Sequence, residues 1–223
     1  MFELYENLYK EYGGQGWWPL FSAGGYHPND YSYPKSKDDI WEIILGVILT
    51  QNTTFTAVTK SLDNLKSVDA LSYQGIKELP IDKLKQLIRP SGYFNQKSSY
   101  ILEFIIFFDN LNGRIPSREE LLVVKGIGAE SADSILLYAY KEPHFIVDTY
   151  TKRIFLDLNF IDEKAKYSDI KELVENEFKK EIDKKDELVK IYQEFHALLV
   201  EHAKRFYSKK IDKKYFCINK LTI

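Results

Sequence analysis

The sequence predicts an all-α fold, and three observations predict it. Apolar residues recur at helical spacing in segment after segment, most clearly from Ile40 to Leu49 and from Leu188 to His202. Helix-start signals precede several of these runs. Only Phe145-Ile146-Val147 reads as a strand, and it is too short to build a sheet. At 223 residues the chain suffices for one large domain or two small lobes.

The elements follow in order. Residues 1–37 read as a short amphipathic helix followed by an irregular, aromatic stretch. Gly13-Gly14, Pro19, Gly24-Gly25, Pro28 and Pro34 then break regular structure, and Trp17-Trp18-Pro19 stands among them. Bulky rings in such a loop either plug a core or line a pocket. Ser36-Lys37-Asp38-Asp39 is a capping-box signature, and Ile40, Ile43, Ile44, Val47 and Ile48 continue as a helix. That helix ends in the polar run Thr50-Gln51-Asn52-Thr53-Thr54, closed by Phe55. Helical segments are expected near 56–66, 76–79 and 81–88. Residues 89–97 read as a loop and helix start, and 98–110 as a helix burying Ile101, Leu102, Ile105, Ile106 and Phe108. A short helix over 117–124 is stopped by Gly126, and 129–140 continues as a helix with Ala132, Ile135, Leu136 and Ala139 on one stripe. Asp148 caps a helix to about Leu158. Two more are expected near 168–180 and 187–207, the last aligning Leu188, Ile191, Tyr192, Phe195, Leu198, Leu199 and His202.

Composition narrows the class. Hydrophobic residues at 44% and charged residues at 29% are those of a globular, water-soluble chain. No apolar run reaches membrane-spanning length, so no membrane partner is expected. The start, MFELYENLYKEY, is acidic and aromatic rather than signal-like, and the cytoplasm is the expected location. The single Cys217 excludes an internal disulfide and a cluster held by four thiolates. His196 and His202 are not at the i, i+4 spacing of a helical metal pair, and no metal site is expected. The net charge of −2 gives no support to nucleic-acid binding by itself. Seven basic residues and one acid lie in 203–223, a run that reads first as a solvated tail.

The chemistry concentrates between Leu121 and Asp148. A short helix, Gly126-Ile127-Gly128 and a second helix make a helix-hairpin-helix pattern. Glycines allow positive φ and close approach, so N–H groups around Gly126, Gly128 and Ala129 can meet a DNA phosphate at a helix N-terminus. Lys125 and the Ser131 hydroxyl would add to that grip, and Ile127 would tuck inside. The plain alternative is an inter-helix turn. Asp148 reads as an N-cap, and the helix dipole favours a negative charge at that end. Such an anion can also stabilise positive charge developing on a deoxyribose, or orient a water.

GIGAESADSILLYA followed by FIVDTY resembles the hairpin and aspartate of the endonuclease III superfamily of DNA glycosylases. ILGVILTQNTTF and LIRPSGYFNQKSSYI resemble two further segments of that family, although Tyr93-Phe94-Asn95 transposes the usual aromatic order. The resemblance covers roughly residues 38–158 in the family's order, and WWP and the last helix extend it. It implies an endonuclease III-like fold of two helical lobes. One is a six-helix barrel-like lobe with the hairpin, residues 38–141; the other is built from 1–37 and 142–223.

Departures from the family pattern choose the branch. Bifunctional members carry a Lys where this chain has Glu130, and a Glu cannot form the Schiff base that cuts the strand. Many members hold an iron–sulfur cluster on four cysteines, which one Cys rules out. The combination resembles the bacterial 3-methyladenine DNA glycosylase branch. It implies a monomer that removes alkylated purines from double-stranded DNA in base excision repair, without a cofactor and with little or no lyase activity. By the same resemblance Asp148 is the catalytic carboxylate. Trp17, Trp18, Pro19 and Phe55 line the base pocket, and Gln51 fills the gap left in the duplex. Lys204 falls at the match of a carbamylated pocket lysine. Periodicity instead puts Lys204 opposite the Leu188–His202 stripe, with Ala197 and Val200, so an ordinary exposed lysine is the competing reading. Two other functions stay open: an endonuclease III-like glycosylase for other damaged or mismatched bases, and a non-catalytic hairpin protein that only binds DNA.

Overall fold

A computed structural model describes residues 1–207. Most of the basic tail (Lys209, Lys210, Lys213, Lys214, Lys220) and Cys217 lie outside the described residues. The fold is all-α. The helices are α1 (Phe2–Tyr12), α2 (Lys37–Thr50), α3 (Phe55–Lys66), α4 (Tyr73–Glu78), α5 (Ile81–Leu87), α6 (Phe94–Asn110), α7 (Arg118–Leu122), α8 (Ala129–Ser134), α9 (Thr149–Asp157), α10 (Tyr167–Glu181) and α11 (Lys185–Phe206). Leu20 and Gly25 form an isolated antiparallel bridge, and no strand forms among the described residues. None of the described helices is long and apolar enough to cross a membrane.

The chain divides into two compact units. Among the described residues, one comprises 1–17, 27–31 and 141–207; the other comprises 18–26 and 32–140. Residues 18–26 and 32–37 therefore sit with the middle of the chain, not with the two chain ends.

In the middle unit α2 is the central element, buried without interruption from Trp41 to Leu49. Its start is fixed by the capping box: Asp39 N–H donates to the Ser36 hydroxyl, and the Asp39 carboxylate accepts the Ser36 N–H. Trp41 packs edge-on to Tyr73 and beside Phe104 and Phe108. Gly46 admits Trp18, since a Cβ there would lie 2.8 Å from the indole nitrogen. The neighbouring Glu42 is buried, and its carboxylate accepts the Phe21 and Ser22 N–H groups, tying down the turn after Trp18-Pro19. Burial pushes that carboxyl up, and the hydrogen bonds oppose the shift.

Three expectations for this unit need correction. Leu102 and Ile106, expected to be buried, are exposed on α6, and Phe104 joins Ile101, Ile105 and Phe108 on the buried face instead. Helix α6 begins at Phe94, not Ser98, because Tyr93 takes a left-handed conformation (φ 46°) that turns the chain directly into it. The helix expected over 129–140 is α-helical only to Ser134; Ile135–Ala139 is a π-helical turn. All five residues of that turn are buried and the segment packs on α2, so no exposed face sets a 3.6 period there.

In the terminal unit α11 is the axis. The predicted stripe is buried, and so is a second one of Val189, Gln193, His196, Val200 and Ala203. Phe178 and Phe145 each pack against both Tyr192 and Phe195. The strand expected at 145–147 does not form. The Phe145 N–H donates to the Glu175 carboxylate at 2.9 Å, and its carbonyl accepts from Lys171. Side chains of α10 thus satisfy the backbone that a partner strand would otherwise pair.

Candidate functional site

Each unit carries one group of the residues singled out in the sequence. In the middle unit the group is the hairpin. Helix α7 starts in a second capping box, with Glu120 N–H donating to the Ser117 hydroxyl and the Glu120 carboxylate accepting the Ser117 N–H. Arg118 reaches the fully buried Asp133 with both arms, at 2.8 and 3.2 Å, and so clamps α7 to α8. Between them Gly126 has φ 89°, and a Cβ on it would lie 2.3 Å from the Tyr100 ring. Both facts require glycine.

Gly128 differs from expectation. Its backbone is extended (φ −94°) and it needs no positive φ. A Cβ there would meet nothing within 4 Å, so this glycine leaves open space at the exposed start of α8. Ile127 is buried inside the turn, and Lys125 is exposed beside it. Ala129 is half-buried and Glu130 exposed. Ser131 is 9% exposed, and its hydroxyl accepts from the Gln51 amide at 3.0 Å. The same amide donates to the Gly126 carbonyl at 2.8 Å. Gln51 is thus held by the hairpin in the free protein. Behind it the buried Lys97 ammonium donates to the carbonyls of Leu49 and Ser91, fixing the end of α2 from which Gln51 projects. Burial pulls the Lys97 amine down to about 8.

The rings of this unit separate by role. Trp18 is 6% exposed and Pro19 is buried, and Trp18 meets Tyr138 edge-on at 5.4 Å. Trp18 is a core ring. Phe55 is half-buried and meets both Trp18 and the exposed Tyr26, each with ring centroids 6.4 Å away.

In the terminal unit the group gathers on α9 and α11. Asp148 is the N-cap of α9; its Oδ1 accepts the Thr151 N–H at 2.7 Å. Its Oδ2 lies 3.9 Å from His196 Nε2, and both side chains are nearly buried. Trp17 stands edge-on to the His196 ring at 5.8 Å. Lys204, about two turns beyond His196 on α11, places its ammonium 5.4 Å from the centre of the Trp17 ring. Lys204 itself is exposed, although α11 is covered on two faces up to Ala203. Burial pushes the His196 imidazole down, Asp148 pulls it up, and Lys204 pushes it down again.

Helix α11 also holds the segment that carries Trp17. The buried Glu194 carboxylate accepts the Gln15 N–H at 2.8 Å and the Tyr31 hydroxyl at 3.1 Å. Gly16, with φ 67° and the His27–Pro28 backbone 2.3–2.6 Å from where a Cβ would stand, closes the turn just before Trp17.

The model of the family described as "HhH-GPD superfamily base excision DNA repair protein" matches residues 45–180, which include the hairpin, α9 and its cap. The chain belongs to the HhH-GPD superfamily. A Methanocaldococcus jannaschii protein that carries the name of a DNA repair glycosylase is 37% identical over 236 residues, 99% of this chain and 96% of the relative. The endonuclease III of Haemophilus influenzae is 32% identical over 152 residues, 64% of this chain and 69% of that one. Among solved structures, the H. pylori 3-methyladenine DNA glycosylase bound to 1,N6-ethenoadenine superposes with a TM-score of 0.71 at 29% identity. That match covers 92% of this chain and 97% of the other.

In this HhH-GPD protein, then, the structure brings Trp17, Asp148 and Lys204 together in one unit. It brings Gln51, Gly126 and Ser131 together in the other. Sequence reasoning missed His196, Glu194, Lys97 and Glu42. Gly46 was a usable signal, since a glycine inside an Ile/Leu/Val helix marks a close approach. The polar Gln193-Glu194 and His196 within an apolar helix was another. Among the described residues, no group of three or more His, Cys, Asp and Glu side chains is placed to hold a metal ion.

Proposed function

We propose that this DNA glycosylase is monofunctional and excises alkylated purines, 3-methyladenine first among them, from duplex DNA. The observation that carries the reading is the setting of Trp17. Its ring takes the Lys204 cation in the free protein and stands in the same group as a helix-capping carboxylate. N3-methylation makes adenine cationic, and an aromatic face attracts such a ring as it attracts an ammonium. The likeness over nearly the whole length of both chains to a 3-methyladenine DNA glycosylase supports the same substrate class.

The alkylated base leaves easily, so no strong general acid is needed. The C1′–N bond breaks, positive charge builds on the sugar, and Asp148 stabilises it. Water then adds at C1′ and gives up a proton, leaving an abasic site. Extruding the base costs a few kcal/mol of unstacking, less for a damaged base than for a normal one. The hairpin amides beside Gly126 and Gly128 hold the phosphate backbone, and Lys125 adds positive charge there. Glu130, exposed on the first turn of α8, offers no amine to the abasic sugar, so the strand stays intact. The reaction uses no cofactor.

A lesion panel tests the reading. Duplexes carrying methylated purines, an oxidised pyrimidine or a mismatch are incubated with the wild-type protein and with Asp148→Asn. Release of methylated purine by wild type alone is expected. Release confined to the oxidised or mismatched duplex assigns another lesion class, and binding of every duplex with no base released leaves only the DNA-binding function.

A further inference from the structure

We infer that His196 is a positioning residue, whose imidazole holds the open oxygen of the Asp148 carboxylate and the edge of the Trp17 ring in one register. The inference rests on the reading of Asp148 as the carboxylate of base excision.

The geometry is specific. The helix cap uses only Oδ1 of Asp148, through the Thr151 N–H at 2.7 Å. Oδ2 takes no part in that cap bond. His196 Nε2 stands 3.9 Å from Oδ2, longer than a hydrogen bond but with both groups nearly out of water. The imidazole also meets Trp17 at 86°, ring centroids 5.8 Å apart. His196 therefore joins the ring assigned to the base to the carboxylate assigned to the sugar. It does so from α11, whose Glu194 also holds Gln15 just ahead of Trp17.

The charge of His196 matters as much as its shape. The charged groups acting on it are Asp148, the N-cap of α9, and Lys204 on its own helix. Burial and Lys204 favour the neutral ring, and Asp148 opposes them. A neutral imidazole leaves the Asp148 charge available to a cationic sugar. An imidazolium would close the gap to Oδ2, pair with the carboxylate and take that charge away. Base release should therefore fall on the acid side as His196 protonates, below the ordinary imidazole range.

Two readouts on the full-length protein test this. In the first, histidine imidazoles are titrated by NMR, and the resonance missing from His196→Gln identifies His196. Asp148→Asn should move its titration to lower pH and Lys204→Met to higher pH; a resonance that moves in neither variant overturns the inference. In the second, single-turnover base release from methylated duplex is followed from about pH 5 to about pH 9. His196→Gln, always neutral and still a donor, should stay within about threefold of wild type at neutral pH and lose the acid-side decline. His196→Ala should slow release about 10- to 100-fold with half-saturating DNA unchanged, because it frees the carboxylate rather than the duplex. Wild-type rate and pH profile in His196→Ala, with Asp148→Asn inactive, refutes the role of His196 alone. Full release by Asp148→Asn removes the reading on which it rests, and the inference with it.

Discussion

Replacing Asp148 by Asn and by Ala separates the structural job of that side chain from its proposed chemistry. Asp148 Oδ1 caps α9 through the Thr151 N–H at 2.7 Å. Asn is as good an N-cap as Asp, so Asp148→Asn keeps the hydrogen bond and loses only the charge–dipole term, about 0.5 kcal/mol. Asp148→Ala loses both, about 1.5 kcal/mol, or about 3–6 °C in Tm for a chain of this size. The catalytic loss follows from charge instead. A unit charge about 4 Å from a developing sugar cation, at an effective dielectric of about 20, is worth about 4 kcal/mol. That is about a thousandfold in rate, and both variants should lose it. Thermal melts and single-turnover base release from methylated duplex measure the two effects side by side. Equal destabilisation by Asn and Ala, or base release by Asp148→Asn above about a tenth of the wild-type rate, refutes the reasoning.

The hairpin glycines should respond unequally. Gly126→Ala forces a Cβ into the Tyr100 ring at positive φ and should cost about 3 kcal/mol or more, with loss of duplex binding. Gly128→Ala has open space and an extended backbone, so its Tm should stay within about 1 °C while duplex affinity falls in a binding titration. Borohydride should trap no covalent adduct between the wild-type protein and an abasic duplex, and Glu130→Lys should yield one. Lys97→Met removes the donor to the Leu49 and Ser91 carbonyls and should cost about 2–4 kcal/mol by urea unfolding. Lys97 also sets a pH slope. Its amine lies near 8 in the fold and near 10.5 unfolded, so the unfolded chain holds the extra proton between those values. Stability should therefore rise with pH through that window in wild type and lose that component in Lys97→Met. Above about pH 10 tyrosines with buried hydroxyls such as Tyr140 and Tyr192, whose titration burial raises, should reverse the trend.

The helices were legible because their starts and faces are local. Ser36 with Asp39, Ser117 with Glu120, and Asp148 ahead of Thr151 are caps that a short stretch of sequence contains whole. The Leu188–His202 stripe is likewise complete within one helix. What stayed hidden depends on neighbours distant in sequence. Nothing local says that Ile135–Ala139 widens to a π-helical turn, because every residue there is buried and apolar. Phe145-Ile146-Val147 has strand composition, yet Glu175 and Lys171 meet its backbone before any strand can. Trp17 and Trp18 are adjacent and chemically alike, and only the space at Gly46 sends Trp18 to the core while Trp17 goes to His196. Ser131 reads in the sequence only as part of the phosphate grip; its hydrogen bond from Gln51, eighty residues away, is not visible locally. His196 escaped because its spacing to His202 was weighed only for a metal, and its true partner is Asp148 on another helix.

The central claim is base removal without strand cutting. The measurement that tests it most directly is one reaction of the wild-type protein with end-labelled methylated duplex, followed for free base and for strand length together. The account predicts that methylated purine appears in solution while the strand stays full length until hot alkali cleaves it at the abasic site. Strand breakage that keeps pace with base release before alkali, or intact duplex with no purine released, would contradict it.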